Sequence, residues 1–182
     1  MLNSTHIGQV EKAHRYAQEP ERVTFQRLAV TSHGENSDHH VSWDGQAWHS
    51  DSAAFAHYGI CAHVMALQRI LAPMLPPAAR LDESEQAHAV PYSTLIAKVE
   101  KAKRYAEEPQ RFHFDDLTAT FHGENADHEV CWDGTNWDCD SPTFRRDGMS
   151  AHIMALQQML GPMLPTAAHA YGLAPETELA PA

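Results

Sequence analysis

Residues 33–48 read HGENSDHHVSWDGQAW, and residues 122–137 read HGENADHEVCWDGTNW. In both stretches a strand-like pattern leads into an Asp-Gly pair, which is the strongest short-range signal for a β-hairpin. A tryptophan stands on each side of the turn. We therefore expect Trp43 to pair with Trp48 across the two strands and to cover a core. The tandem occurrence of this hairpin decides the fold.

The repetition extends on both sides of the hairpins. Residues 7–76 align without a gap to residues 96–165 at a constant offset of 89, and 40 of these 70 positions are identical. Self-similarity on this scale indicates two copies of one structural unit. Repeats of about 70 residues are near the lower size limit for an independent hydrophobic core. Close association of the two repeats would relieve that limit.

Each repeat is predicted to form a helix, three strands and a second helix. The first helix is expected to follow an N-cap, Thr5 in repeat one and Ser93 in repeat two, and to stop at Pro20 or Pro109, since proline breaks helices. The remaining elements of repeat one are strands at residues 25–30, at residues 39–43 and around Trp48, then a loop, and then a helix that contains residues 62–68.

These elements indicate the α+β class. We predict two tandem αβββα repeats, each a three-stranded antiparallel β-meander flanked by helices, packed as a pseudo-two-fold pair. If the two sheets meet edge to edge, their strand edges are partly covered, as a small sheet requires. The predicted boundaries are 1–76 for the first repeat, 77–92 for a linker, 93–165 for the second repeat and 166–182 for a disordered tail rich in Ala, Pro and Glu.

The composition limits the partners that this chain can have. Lys and Arg number 13 against 24 Asp and Glu, which gives a net charge of −11 at pH 7. The sequence has no dense basic patch to neutralise nucleic-acid phosphates, so DNA is disfavoured as a partner. It has no apolar run as long as a membrane span, and its first six residues lack signal-peptide character. With three cysteines, an odd number, we expect a cytoplasmic protein without a membrane partner.

The third strand, the following loop and the start of the last helix resemble the SWIM-type zinc finger. That family places a C-x-C pair at the end of a β-hairpin, just after a Trp, and a C-x-H pair at the start of a helix that continues Met-Ala-Leu. The resemblance covers residues 22–76 and 111–165. It implies a structural zinc ion, since residues two apart on a strand face one side and four such ligands complete a tetrahedron. It also implies contacts with protein or DNA.

The ligand pattern is incomplete in both repeats. Only two of the four positions in each repeat hold a good zinc ligand, because serine hydroxyls bind zinc poorly near neutral pH. The positions implied by the resemblance hold Ser50, Ser52, Cys61 and His63 in repeat one, and Cys139, Ser141, Ser150 and His152 in repeat two. The candidate metal ligands that remain are Cys61, His63, Cys139 and His152.

Three arrangements are compatible with these residues. In the first, both zinc sites are lost, no cofactor is bound, and the Ser, Cys and His side chains form a hydrogen-bonded cluster instead. In the second, zinc is still held with help from neighbouring side chains, namely His49, His57, Asp51, Asp138 and Asp140. In the third, Cys61, His63, Cys139 and His152 meet across the repeat interface and share one zinc ion.

The expected function is a non-enzymatic interaction module that binds a protein partner or self-associates. The alternative is a zinc-binding DNA-binding protein, whose candidate contacts are Arg145-Arg146 and the basic residues from Lys98 to Arg104. A third class, a small metal- or Cys-dependent enzyme, would use Cys61 at a helix start, where the dipole favours a thiolate. Repeat two has Ser150 there, so no catalytic residue is assigned. The histidines shared by both hairpins are expected to make local hydrogen bonds; they are His33, His39, His122 and His128.

Overall fold

The structure is a computed structural model that describes residues 4–80 and 91–169. Within these ranges the helices are α1 (Ser4–Ala17), α2 (Ala53–Tyr58), α3 (Ala62–Ile70), α4 (Tyr92–Ala106), α5 (Pro142–Asp147) and α6 (Ala151–Leu160). The strands are β1 (Val23–His33), β2 (Asp38–Trp43), β3 (Trp48–Ser50), β4 (Phe112–His122), β5 (Asp127–Trp132) and β6 (Trp137–Cys139). The predicted α+β class is confirmed. Most of the predicted linker and tail lies outside the described residues.

All six strands form one antiparallel sheet in the order β3-β2-β1-β4-β5-β6. Each repeat supplies a three-stranded meander, and the meanders join where β1 pairs with β4. At this join Leu28 lies opposite Leu117, its counterpart at the offset of 89. Each central strand has one bulged residue, Gln26 on β1 and its counterpart Asp115 on β4. The two meanders thus meet edge to edge, and the pairing covers the edge that each would otherwise expose.

Alternation along the strands decides which face of the sheet is buried, because successive side chains point to opposite faces. On β1, Phe25 and Val30 are buried, whereas Thr24 and Thr31 lie on the opposite, partly exposed face. Phe25 stacks on Phe114 across the central join, with ring centroids 5.8 Å apart. The core therefore lies on one side of the sheet and is continuous across both repeats.

The predicted tryptophan pairing is confirmed. Trp43 lies opposite Trp48, with ring centroids 5.6 Å apart. Trp48 Nε1 also donates a hydrogen bond to the carbonyl oxygen of Ala79 at 2.8 Å, and Gln68 Nε2 donates to the same oxygen at 3.0 Å. Ala168 accepts the corresponding two bonds in repeat two. Packed structure thus continues past the end of the sequence repeat in both copies.

The first helix of each repeat packs on the last helix of the other repeat, so the first helices are exchanged between the repeats. α1 packs against α6, and α4 packs against α3. The cause is the register of the central join. The start of β1 at Val23 lies opposite Phe121 near the end of β4, so the helix that precedes β1 emerges over repeat two. Tyr16 of α1 accordingly packs on Phe121, with ring centroids 5.2 Å apart. The sequence did not predict this exchange, because it assigned each helix to its own meander.

The segment between β3 and α3 forms the short helix α2, so the predicted loop is wrong. Ser52 caps this helix, because its Oγ accepts a hydrogen bond from the N–H of Phe55 at 3.2 Å. Gly59 ends it in the left-handed conformation, with φ of 70°. α5 forms in the same way in repeat two.

The predicted N-caps of the long helices are also wrong. α1 already includes Ser4, so Thr5 lies inside the helix, and α4 begins at Tyr92, so Ser93 does too. Both helices end before the predicted prolines, as expected. In the described part of the chain, no helix has the length and apolar character needed to cross a membrane.

Candidate functional site

The positions implied by the zinc-finger resemblance bring a thiol next to a hydroxyl in repeat one. Ser50 ends β3, and Cys61 immediately precedes α3. The Sγ atom of Cys61 lies 3.7 Å from the Oγ atom of Ser50. The same sulfur accepts a hydrogen bond from the N–H of Val64 at 3.5 Å, so Cys61 is the N-cap of α3. This contact connects the end of the hairpin to the start of α3.

Repeat two makes the same contact with the two residue types exchanged. Cys139 ends β6, Ser150 precedes α6, and Ser150 Oγ lies 3.6 Å from Cys139 Sγ. Ser150 Oγ also accepts from the N–H of His152 at 3.2 Å, which makes Ser150 the N-cap of α6. Each repeat therefore has one thiol and one hydroxyl in contact; Cys61, Cys139 and Ser150 are buried, and Ser50 is partly exposed. The expected cluster of Ser, Cys and His side chains is incomplete in repeat one, where His63 makes no hydrogen bond among the described residues.

The remaining serines serve a different purpose. Ser52 and Ser141 are buried, and their hydroxyls accept from the N–H groups of Phe55 and Phe144 at 3.2 and 3.3 Å. They are therefore the N-caps of α2 and α5. In both repeats the second position of the C-x-C pair starts a helix that the sequence did not predict.

The shared zinc site across the repeat interface is wrong. Cys61 lies beside β3 and Cys139 lies on β6, and these strands are the two opposite edges of the sheet. Five strand spacings of roughly 4.8 Å separate the edges by about 24 Å. Cys61 and His63 therefore cannot join Cys139 and His152 around one ion.

Two of the neighbouring side chains expected to help hold zinc, Asp51 and His49, are engaged by other groups. Asp51 accepts hydrogen bonds from the backbone N–H of His40 and from His39, and His49 pairs with Asp44 at 2.7 Å. Across residues 4–80 and 91–169, no three His, Cys, Asp or Glu side chains are placed to hold a metal ion.

His63 is a buried imidazole without a hydrogen-bond partner among the described residues. The residue is 7% exposed, and neither ring nitrogen is paired. The ring packs between His39 and Tyr105, with centroid distances of 4.6 and 5.4 Å. Burial lowers the pKa of His63 from its ordinary value of 6.5 to about 4, and the charges of His39 and Lys101 act in the same direction. The ring is therefore neutral near pH 7.

His152 occupies the same environment in repeat two. It packs against His128 at 4.8 Å and against Phe121 and Tyr16, and its Nε2 is unpaired. Its Nδ1 lies 3.4 Å from Ser150 Oγ. Burial, followed by the charges of His128 and Lys12, lowers its pKa to about 4.

The hairpin histidines make local hydrogen bonds, as predicted, but for His39 and His128 the partner lies outside the hairpin turn and was missed. His33 pairs with Asp38 at 2.8 Å, within the hairpin. His39 pairs with Asp51 at 3.1 Å, and His128 with Asp140 at 3.0 Å. The presence of this Asp at the same spacing in both repeats is the signal that would have revealed the pair. Asp51 and Asp140 thus orient the rings of His39 and His128, which pack on the buried histidine of the same repeat.

Two cavities occupy corresponding places in the fold. Cavity one, about 620 Å³, lies between α3 and α4, and cavity two, about 310 Å³, lies between α6 and α1. The walls of cavity one include His39, Ser52, Cys61, His63, Lys98 and Lys101. Their counterparts in cavity two are His128, Ser141, Ser150, His152, Gln9 and Lys12. Because the first helices are exchanged, each cavity is built from both repeats.

The basic residues proposed for DNA contact are partly neutralised by acidic neighbours. Glu35 binds Arg104 at 2.8 Å and Lys101 at 3.4 Å. Arg146 pairs with Asp147 at 2.8 Å.

Comparison with the models of known protein families, with curated proteins and with solved structures gave no match for this chain. The geometry of the two cavities is therefore the basis for a functional assignment.

Proposed function

We propose that the chain is a non-enzymatic binding module that recognises a protein partner through cavity one. It consists of two SWIM-like αβββα repeats arranged as a pseudo-two-fold pair, which keep the zinc-finger architecture without the metal. The observation that carries the proposal is cavity one itself. It is concave, preformed and of the size of a small ligand site, and both repeats contribute to its walls.

The thiol–hydroxyl contacts support a fold that holds without zinc. Ser50 with Cys61, and Cys139 with Ser150, connect each hairpin to its helix at 3.7 and 3.6 Å. The sheet, the exchanged helices and the tryptophan pairs supply a continuous core around them. A structural zinc ion contributes folding energy when the core is too small, and here one core spans both repeats.

The arrangement of Cys61 supports a binding role over a catalytic one. An activated thiol needs a base within hydrogen-bond reach. Both ring nitrogens of His63 are unpaired, so this histidine does not activate Cys61. The sulfur instead caps α3.

The charge distribution supports a protein partner over DNA. The net charge is −11, and three of the clustered basic side chains, Lys101, Arg104 and Arg146, are paired with Glu35 or Asp147. Binding to duplex DNA depends on free Lys and Arg side chains that neutralise phosphates.

Selection of short random peptides against the full chain tests this proposal. Ala97 is exposed and lines cavity one, so an Ala97→Trp variant obstructs it. The matched control is Gly8→Trp, because Gly8 is the counterpart of Ala97 and a Cβ there meets no atom within 4 Å. We expect peptides that bind the wild type and the Gly8→Trp control but not Ala97→Trp.

Three other outcomes would contradict the proposed function. Peptides that bind Ala97→Trp as well as the wild type, or a failure to select any peptide, exclude cavity one as the recognition site. A DNA affinity that falls steeply with salt would favour the DNA-binding alternative. One or two zinc ions per chain, found by elemental analysis of protein purified without added metal, would refute the metal-free fold.

A further inference from the structure

We infer that cavity one binds an oxyanion, a carboxylate or a phosphate group, at the start of α3 beside Lys98 and Lys101. This inference rests on the proposed function and names the chemistry of the group that the module would recognise.

The comparison of the two cavities shows what is missing in cavity one. In repeat two, Gln9 Oε1 accepts a hydrogen bond from the N–H of Ala151, the first residue of α6, at 3.2 Å. An acceptor from α1 thus satisfies one of the free N–H groups at this helix start. The counterpart of Ala151 is Ala62, and the counterpart of Gln9 is Lys98.

Lys98 cannot do what Gln9 does, because an ammonium group has no acceptor. In the described part of the chain, the N–H of Ala62 lacks a side-chain acceptor such as Ala151 has. Ala62 is nevertheless buried at the wall of cavity one. A positive side chain therefore stands where the other repeat places an oxygen atom, and the cavity is larger by a factor of two (about 620 against 310 Å³).

The buried imidazole of His63 is a second, independent sign of a ligand. It lines the same cavity, it is more than nine-tenths buried, and both of its nitrogens are unpaired. A buried polar group without a partner is destabilising. An oxygen-rich group bound at the N–H of Ala62 would lie beside this ring, which forms part of the cavity wall.

The charges around cavity one favour an anion. Lys98 and Lys101 both line it, whereas cavity two has only Lys12. Lys98 Nζ lies over the ring of Tyr58, 5.3 Å from its centroid. Lys101 Nζ forms an ion pair with Glu35 Oε2 at 3.4 Å. Asp51 is engaged by His39. Lysine side chains beside a helix N-terminus form a site that carboxylates and phosphates bind through charge-assisted hydrogen bonds.

An NMR titration of the full chain with inorganic phosphate, and separately with acetate, tests the inference. Ionic strength is held constant with chloride, and the amide signals of Ala62 and His63 are followed. We expect saturable shifts at these amides and not at Ala151. The anion that saturates at the lower concentration distinguishes a phosphate site from a carboxylate site.

A reciprocal exchange of the two counterpart residues sharpens the test. Lys98→Gln should bind the anion about tenfold more weakly or worse, because it removes a charged donor and supplies an internal acceptor. Lys98→Met removes the charge without supplying the acceptor and should weaken binding less. Gln9→Lys should produce new saturable shifts at Ala151. Thermal unfolding of each variant checks that it remains folded.

The outcomes separate this inference from the proposed function. Shifts that do not saturate, or that are unchanged in Lys98→Gln, overturn the oxyanion site. If peptides selected through cavity one are not displaced by either anion and bind Lys98→Gln normally, the inference fails while the proposed function stands. If the anions bind and no peptide is selected, the oxyanion site stands and the proposed protein partner fails.

Discussion

Replacing Ser50 and Ser52 by cysteine is expected to turn repeat one into a zinc finger. Ser50 Oγ already lies 3.7 Å from Cys61 Sγ. Two sulfur atoms on a tetrahedral zinc ion with bonds of about 2.3 Å are about 3.8 Å apart. The backbone thus places one ligand from the strand and one from the helix at the separation that zinc requires. His63 supplies an unpaired neutral imidazole in the same region.

The energies favour binding by a wide margin. Ser52 caps α2, and loss of that cap costs roughly 1 kcal/mol. Zinc held by four protein ligands contributes an apparent free energy of about 10–16 kcal/mol at neutral pH. The metal-bound variant should therefore be more stable than the wild type, even though the metal-free variant should be slightly less stable.

Elemental analysis and thermal unfolding measure this outcome under reducing conditions, which keep the new thiols from forming a disulfide. We expect one zinc ion per chain for the S50C/S52C variant and a higher Tm with zinc than with a chelator. Adding His63→Gln removes the fourth ligand and should abolish tight binding. A folded S50C/S52C chain that binds no zinc would show that these positions are not counterparts of zinc-finger ligands.

Acidification from about pH 7 to about pH 5 should lower the free energy of unfolding by roughly 2 kcal/mol for each of His63 and His152. The pKa of each histidine is 6.5 in the unfolded chain and about 4 in the folded protein, so only the unfolded chain takes up protons between these pH values. Urea unfolding at several pH values measures this effect. If the free energy of unfolding of a His63→Phe variant depends on pH as steeply as that of the wild type, the prediction is wrong. Tyr16→Ala should lower the free energy of unfolding by about 3–5 kcal/mol, because Tyr16 packs on the other repeat. Tryptophan fluorescence should still show a single unfolding transition, and two separate transitions would show that the repeats unfold independently. Trp48→Phe should cost roughly 1 kcal/mol in the same assay through the lost bond to Ala79, and no loss would mean that this bond is dispensable.

Local elements of the fold were predictable from sequence, because their signals lie within a few residues. Asp-Gly between two tryptophans marks the hairpin, and the prolines mark the helix ends. Helix α2 was missed because it has only six residues, too few for a clear apolar period, and because Ser52 had been assigned to a ligand position.

The exchange of helices could not be predicted, for a reason built into the duplication. Tyr16 and Tyr105 are counterparts, and so are the residues that they pack against. The apolar stripe of α1 thus fits the last helix of either repeat equally well. Only the long-range register of β1 on β4 decides between them.

The candidate site was likewise predictable from sequence only in part. The proximity of Ser50 and Cys61 was expected from the resemblance to the zinc-finger pattern. The roles of Lys98 and Gln9 were not, because these residues reach their cavities from the other repeat. A sequence pattern read within one repeat cannot identify them.

The pairing of β1 with β4 has a consequence for how the protein is made. β1 leaves the ribosome 89 residues ahead of β4, and its edge stays open until β4 arrives. Since Leu28 lies opposite its own counterpart, β1 of a second chain offers nearly the same partner. The covalent connection between the repeats competes with that wrong partner by supplying β4 at an effective concentration on the order of millimolar. Joining the two copies in one chain thus makes the pairing independent of how much protein the cell contains.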